Sequence, residues 1–166
     1  MFALWMVTFG QFIACKGCQE TKVQDIDTGT VEEFSNNWGK WLDMTQTPDG
    51  QPVIAYYDLT HGALGLATGT LNNSSAAWSH EEIDGYPNEQ GLDQGDRGAY
   101  ASLAVDSAGT TWIAYYDASL QTLRYGMRSS DSTEWTLGVA DSGSGGTPDA
   151  GLFSDMALDA QENPVV

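Results

Sequence analysis

Two stretches of this chain are apolar on both faces of an extended strand. In Val53-Ile-Ala-Tyr-Tyr57 and again in Trp112-Ile-Ala-Tyr-Tyr116, residues of either parity are aliphatic or aromatic. Whichever way such a strand is turned, both of its sides must be covered. Each stretch is entered after a glycine, Gly50 or Gly109, and left through an aspartate, Asp58 or Asp117, residue types that form turns. The neighbouring runs are short, β-branched and aromatic, and no 3.6-residue apolar period of useful length competes with them. Around the second stretch the pattern predicts four strands, over 101–105, 111–116, 122–128 and 134–139. The turns between them are Asp106-Ser-Ala-Gly109, Asp117-Ala-Ser119 and Ser129-Ser-Asp-Ser132.

The two stretches belong to one repeat. Gly50 to Asp58 returns without a gap as Gly109 to Asp117, an offset of 59 residues that also pairs Trp41 with Tyr100, Met44 with Leu103 and Leu64 with Leu123. Phe153-Ser-Asp-Met-Ala-Leu-Asp159 then repeats Tyr100-Ala-Ser-Leu-Ala-Val-Asp106 at an offset of 53, and Pro164-Val-Val166 opens the next Ile-Ala-Tyr-Tyr-type strand. Sheets stacked face to face cover both sides of that strand, whereas a lone antiparallel sheet leaves one side wet. The expected fold is all-β: tandem four-stranded antiparallel blades of a β-propeller, incomplete in this chain. A first blade is expected over 39–98, a second over 99–151 and the start of a third over 152–166. The competing arrangement is a β-sandwich with two hairpins of similar sequence. Two copies and part of a third do not close a ring of about 4 to 8 blades, so a truncated reading frame or a fragment is expected.

Ser102 to Asp117 has the form S-L-A-x-D-x-x-G-x-x-x-I-A-Y-Y-D; the first copy carries its second half and the third copy its first half. This form resembles the propeller repeats of bacterial exported proteins of the broad sialidase-like and BNR-type group, over roughly residues 39 to 166. The resemblance implies architecture and not activity, because propellers host many unrelated functions. Asp106-Ser-Ala-Gly109-Thr-Thr-Trp112 approximates the Asp-box of sialidases with one extra residue between aspartate and glycine, which implies a turn and no catalytic role.

The N-terminal run Met1 to Ala14 is apolar and uncharged, shorter than the ~20 residues of a membrane-spanning helix, and has the character of a signal-peptide core. Its end, Phe12-Ile13-Ala14-Cys15, resembles the lipobox of bacterial lipoproteins; by that resemblance Cys15 carries the lipid, and Lys16 after it implies an outer-membrane or cell-surface destination. The membrane would then be engaged through the lipid alone. Residues 16–38 turn polar and acidic, as an anchor-to-domain tether does. Cys15 and Cys18 form a C-x-x-C with no second cysteine pair, so neither zinc nor redox chemistry is expected from them.

Charge narrows the function classes. The 23 acidic residues face 6 basic ones, and no lysine or arginine occurs between Lys40 and Arg97, so no basic stripe exists for nucleic acid. The acidic balance admits calcium, though Asp25-Ile-Asp27-Thr-Gly29 lacks the remaining ligands of a calcium loop. No cofactor is expected. Catalytic signatures such as G-x-S-x-G, H-E-x-x-H or a P-loop are absent, and no catalytic residue is assigned. His61 and His80 fall in or beside predicted turns without ligand spacing, so no metal site is expected. Arg124 and Arg128 share one predicted strand and one face, which does not clamp a substrate carboxylate from separate blades.

Asp43, Ser102 and Asp155 occupy one repeat position on the first strand of each copy. They are expected to line the central channel, as ion or glycan ligands or as hydrating groups. Asp58 and Asp117 are expected to start turns. The joining loops 84–98 and 141–151 offer Tyr86 and Arg97 as ligand contacts. Together these features point to a non-enzymatic cell-surface module that binds a glycan or protein. The alternatives are a piece of a sialidase-like glycan hydrolase with catalytic residues elsewhere, and a purely structural envelope component.

Overall fold

A computed structural model describes residues 39–72, 75–85, 94–143 and 149–166. The expected signal segment with Cys15, the tether over 16–38 and the loop residue Tyr86 lie outside the described residues. Within them the chain is all-β. A first sheet runs in order β1 (Lys40–Gln46), β2 (Pro52–Asp58), β3 (Ala63–Asn72) and β4 (Ser75–Asp84); a second runs β5 (Arg97–Val105), β6 (Thr111–Asp117), β7 (Thr122–Arg128) and β8 (Thr136–Asp141). Each is antiparallel between neighbours. A short pair, β9 (Ala157–Leu158) and β10 (Pro164–Val165), follows.

The register repeats with the sequence. Tyr57 faces Leu64 across β2 and β3, as Tyr116 faces Leu123 across β6 and β7. Val105 faces Thr111, as Leu158 faces Pro164. The turn between the first two strands of each unit also recurs: Gly50, Gly109 and Glu162 each donate an N–H to the carbonyl of Thr47, Asp106 and Asp159, respectively. All three adopt positive φ, at 83°, 84° and 64°, a region that favours glycine. Asp106 accepts the N–H groups of Ala108 and Thr110, so the Asp-box-like segment is a turn.

The sheets pack face to face. Val53, Ala55, Leu64 and Leu66 of the first meet Ala101, Leu103, Ile113 and Tyr115 of the second in one buried cluster. Fully burying each large aliphatic side chain there stabilises by about 1.5–3 kcal/mol. The opposite face of β6 carries Ala114 and Trp112 against Met156 and Leu158 of the third unit. Each second strand therefore turns the same repeat positions, Val53 and Ala55 or Trp112 and Ala114, toward the unit that follows it, which is why neither parity is polar.

A glycine stands at each junction of units, Gly98 as the second residue of β5 and Gly151 ahead of β9. Gly98 and Gly151 have φ of 112° and 102°, and a Cβ on them would lie 2.6 Å from Leu64 Cα and 2.9 Å from Leu123 Cα. No side chain fits between the incoming strand and the third strand of the preceding unit.

Candidate functional site

The seam between units is built from repeated positions. Ser102, 4% exposed, donates its hydroxyl toward Asp43 at 3.0 Å and toward Asp155 at 3.4 Å, so the three residues that share a repeat position are brought together. Asp43 also accepts the Leu103 N–H at 2.8 Å, and Ser102 Oγ accepts the Met156 N–H at 3.0 Å. Each unit thus supplies an acceptor for the first backbone donor beyond the same position in the next, and the row works as a set of staples between first strands.

Two residues before this row, Trp41, Tyr100 and Phe153 all have left-handed backbone, with φ of 48°, 55° and 57°. In the first two units the pairing slips at this place, between Lys40 and Asp43 and between Ala99 and Ser102. Such a backbone is unfavourable for a bulky residue and persists only where its surroundings impose it. The bulge lets the rings stack from unit to unit, with centroids 4.8 Å apart for Trp41 and Tyr100 and 4.7 Å for Tyr100 and Phe153. Behind them Tyr57 donates to Asp96 at 2.7 Å and Tyr116 donates to Asp149. Both aspartates sit two residues before a junction glycine.

A buried ionic cluster also bridges the two sheets. Asp84, at the end of β4, accepts from Arg97 at 2.8 Å, from the Tyr115 hydroxyl at 2.6 Å and from Arg124 at 3.1 Å. Arg97 bridges onward to Asp117 at 2.9 Å. Asp117 is fully buried and its other oxygen accepts the Leu120 N–H, so it starts the turn as expected while also holding an arginine. Burial first, then the charge of Asp84, raises the Tyr115 phenol well above its ordinary range. Arg97, expected as a ligand contact on a loop, has its guanidinium held by these two carboxylates. Arg128 is likewise paired with Glu81 at 2.7 Å and lies over the Trp135 ring at 4.5 Å.

Asp58, the counterpart of Asp117, has different company. Its Oδ1 accepts the N–H groups of Thr60 and His61, and its Oδ2 lies 2.6 Å from His61 Nδ1. Glu82 Oε1 of β4 stands 3.7 Å from the same ring nitrogen. Asp58, His61 and Glu82 each offer a ligand atom, all within 4.8 Å of one another. Sequence spacing did not foretell this set, because Glu82 arrives from the fourth strand. His80 lies inside β4, opposite Ala67, and not in a turn: an outer strand with a solvent-facing side carries polar residues.

At the opposite end of the sheets a cleft of about 440 Å³ opens between the units. Thr47, Asp49, Val53 and Thr68 line it from the first unit, and Ser107, Thr111, Ser129, Ser130 and Arg128 line it from the second. Its volume lies in the ordinary range for ligand sites, and its hydroxyl lining suits a polar, hydroxylated ligand.

Asp84, Glu81 and Asp96 escaped sequence reasoning. One signal was available for Asp96: Asp96-Arg-Gly98-Ala-Tyr100 recurs as Asp149-Ala-Gly151-Leu-Phe153. Neither a protein-family model, nor a curated protein, nor a solved structure matches the chain.

Proposed function

We propose that the two sheets are consecutive blades of a propeller-type array of the sialidase-like group. In this reading the array is exported, anchored through Cys15, and serves as a non-enzymatic module that binds a glycan at the cell surface. The observation that carries the binding role is the hydroxyl-lined cleft between units, formed by turns that the repeat brings side by side. Turns and loops on a rigid sheet scaffold are where binding function concentrates. Hydrolysis is disfavoured because Arg97, Arg124 and Arg128 are all paired with carboxylates of this chain, which leaves no arginine set among the described residues for a substrate carboxylate.

A glycan-array screen of the chain, beside a variant whose cleft is filled by Ser130→Trp, tests this reading. Hits that vanish on filling the cleft support it. A folded chain without hits, or hits indifferent to the substitution, removes it, the former in favour of a structural envelope role. The anchor is tested separately: Cys15→Ser is expected to release the protein from membranes, and unchanged retention would defeat that part.

A further inference from the structure

The repeat places an aspartate at the end of the second strand in both units, yet only one of the two is answered by arginines. Asp117 faces Arg97 and Arg124. In the first unit Gly65 takes the place of Arg124, His61 that of Leu120 and Glu82 that of Val139, as the shared offset and strand registers show. Asp58 is nevertheless 2% exposed, and a buried carboxylate requires partners; here they are two backbone N–H groups and the His61 ring at 2.6 Å. We propose that Asp58, His61 and Glu82 bind one divalent transition-metal ion of the Zn²⁺ type, with an open coordination position toward the adjoining cavity.

The donor set fits such an ion. Two carboxylates and a neutral imidazole balance a double positive charge, and a nitrogen ligand favours zinc-like ions over calcium, which prefers six to eight oxygens. The orientation of Asp58 is fixed in advance: two backbone N–H groups hold Oδ1, leaving Oδ2 aimed at His61, the kind of outer support that positions metal ligands. With metal–ligand bonds of about 2.0–2.2 Å, tetrahedral ligand atoms lie roughly 3.4 Å apart. The 3.7 Å gap between His61 and Glu82 is near that, and the 2.6 Å hydrogen bond from His61 to Asp58 must open by less than an ångström. The His61 and Glu82 side chains are 29% and 42% exposed, so the group is reached from solvent.

Space for the remaining ligand is present as well. A cavity of about 340 Å³ adjoins the cluster, lined by Tyr56, Asp58, Gly65, His80, Glu81 and Glu82. Three protein ligands with a water-filled fourth position is the arrangement of zinc sites that interact with an outside molecule. The site belongs to the first unit alone and does not depend on what the inter-unit cleft binds.

The test is calorimetric titration of the metal-free chain with Zn²⁺, in a Cys15→Ser/Cys18→Ser background so that the N-terminal thiols do not contribute. One ion per chain is expected, with affinity reduced by at least about tenfold in Glu82→Gln and again in His61→Leu. The second variant copies Leu120, the residue the same turn carries in the other unit, and circular dichroism confirms that both remain folded. Absence of binding, or affinity unchanged in both folded variants, overturns the site.

Discussion

Asp58 and Asp117 end nearly identical strands and cap the same turn, yet their surroundings differ in sign. In the second unit the seam delivers arginines from the start of β5 and from β7; in the first, a histidine and a glutamate stand there instead. The repeat therefore conserves backbone geometry, since turn, register and junction glycine all recur, while the third and fourth strands set the electrostatics of each unit. Where the seam is filled by ion pairs it is a structural joint. Where the equivalent position groups Asp58, His61 and Glu82 beside a cavity, it is a candidate for chemistry.

The sharpest way to break this comparison is to remove the acceptor at the joint. Asp84→Ala leaves Arg97, Arg124 and the Tyr115 hydroxyl without their shared partner. Breaking a buried pair by deleting one member typically costs about 3–5 kcal/mol. Urea unfolding should show a loss of that size, and a loss under about 1 kcal/mol would mean that the seam is wetter than a structural joint.

A second, smaller effect probes the junction glycine. Gly98→Ala forces a Cβ to within 2.6 Å of Leu64 Cα at a φ of 112°, and the combined crowding and strain should cost about 2–3 kcal/mol. Gly50→Ala, at a φ of 83° with nothing within 4 Å of the added carbon, should cost only about 1 kcal/mol. Equal losses at the two sites would show that backbone conformation, and not the close approach of units, explains Gly98.

These sites differ in how far the chain announced them. The strands were legible because apolar residues of both parities in Val53 to Tyr57 and Trp112 to Tyr116 leave no wet face, and the turns because Gly50, Gly109 and the aspartates punctuate them. The shared position of Asp43, Ser102 and Asp155 was legible from the offsets, but their role as staples depends on a sheet-to-sheet distance that no local pattern encodes. The cluster at Asp84 was illegible for the same reason: its partners Arg97, Tyr115 and Arg124 come from three strands of the other sheet. The left-handed backbone at Trp41, Tyr100 and Phe153 contradicts local preference, so propensity points away from it and only the repetition of an aromatic two residues after a glycine hints at it.

The paired tyrosines offer a pH test of both units. Burial, then the charges of Asp58 and Glu82, pushes Tyr56 up to about 12; burial, then the hydrogen bond to Asp149, does the same for Tyr116. Tyr57 and Tyr115 are raised further. A phenol held protonated by the fold contributes stability that is complete below its ordinary value of 10 and is lost as pH climbs from there through about 12. Urea midpoints should therefore hold steady up to pH 10 and fall beyond it. If all seven tyrosines ionised near pH 10 in a still-folded chain, the placement of these hydroxyls would be wrong.

The smallest effect concerns the staple. Ser102→Ala removes the acceptor of the Met156 N–H and the donor to Asp43 and Asp155, but Asp43 keeps the Leu103 N–H. One backbone donor is left unsatisfied in a buried place, worth about 1 kcal/mol. Ser102→Asp makes the second unit copy the first and third, where aspartate holds this position. Three adjacent carboxylates then repel, so the substitution should cost more than alanine at neutral pH and recover as the solution is acidified toward the carboxylate range. An aspartate variant as stable as the wild type at pH 7 would show that this row faces enough water to screen three charges, and that it lines an open channel instead of stapling the sheets.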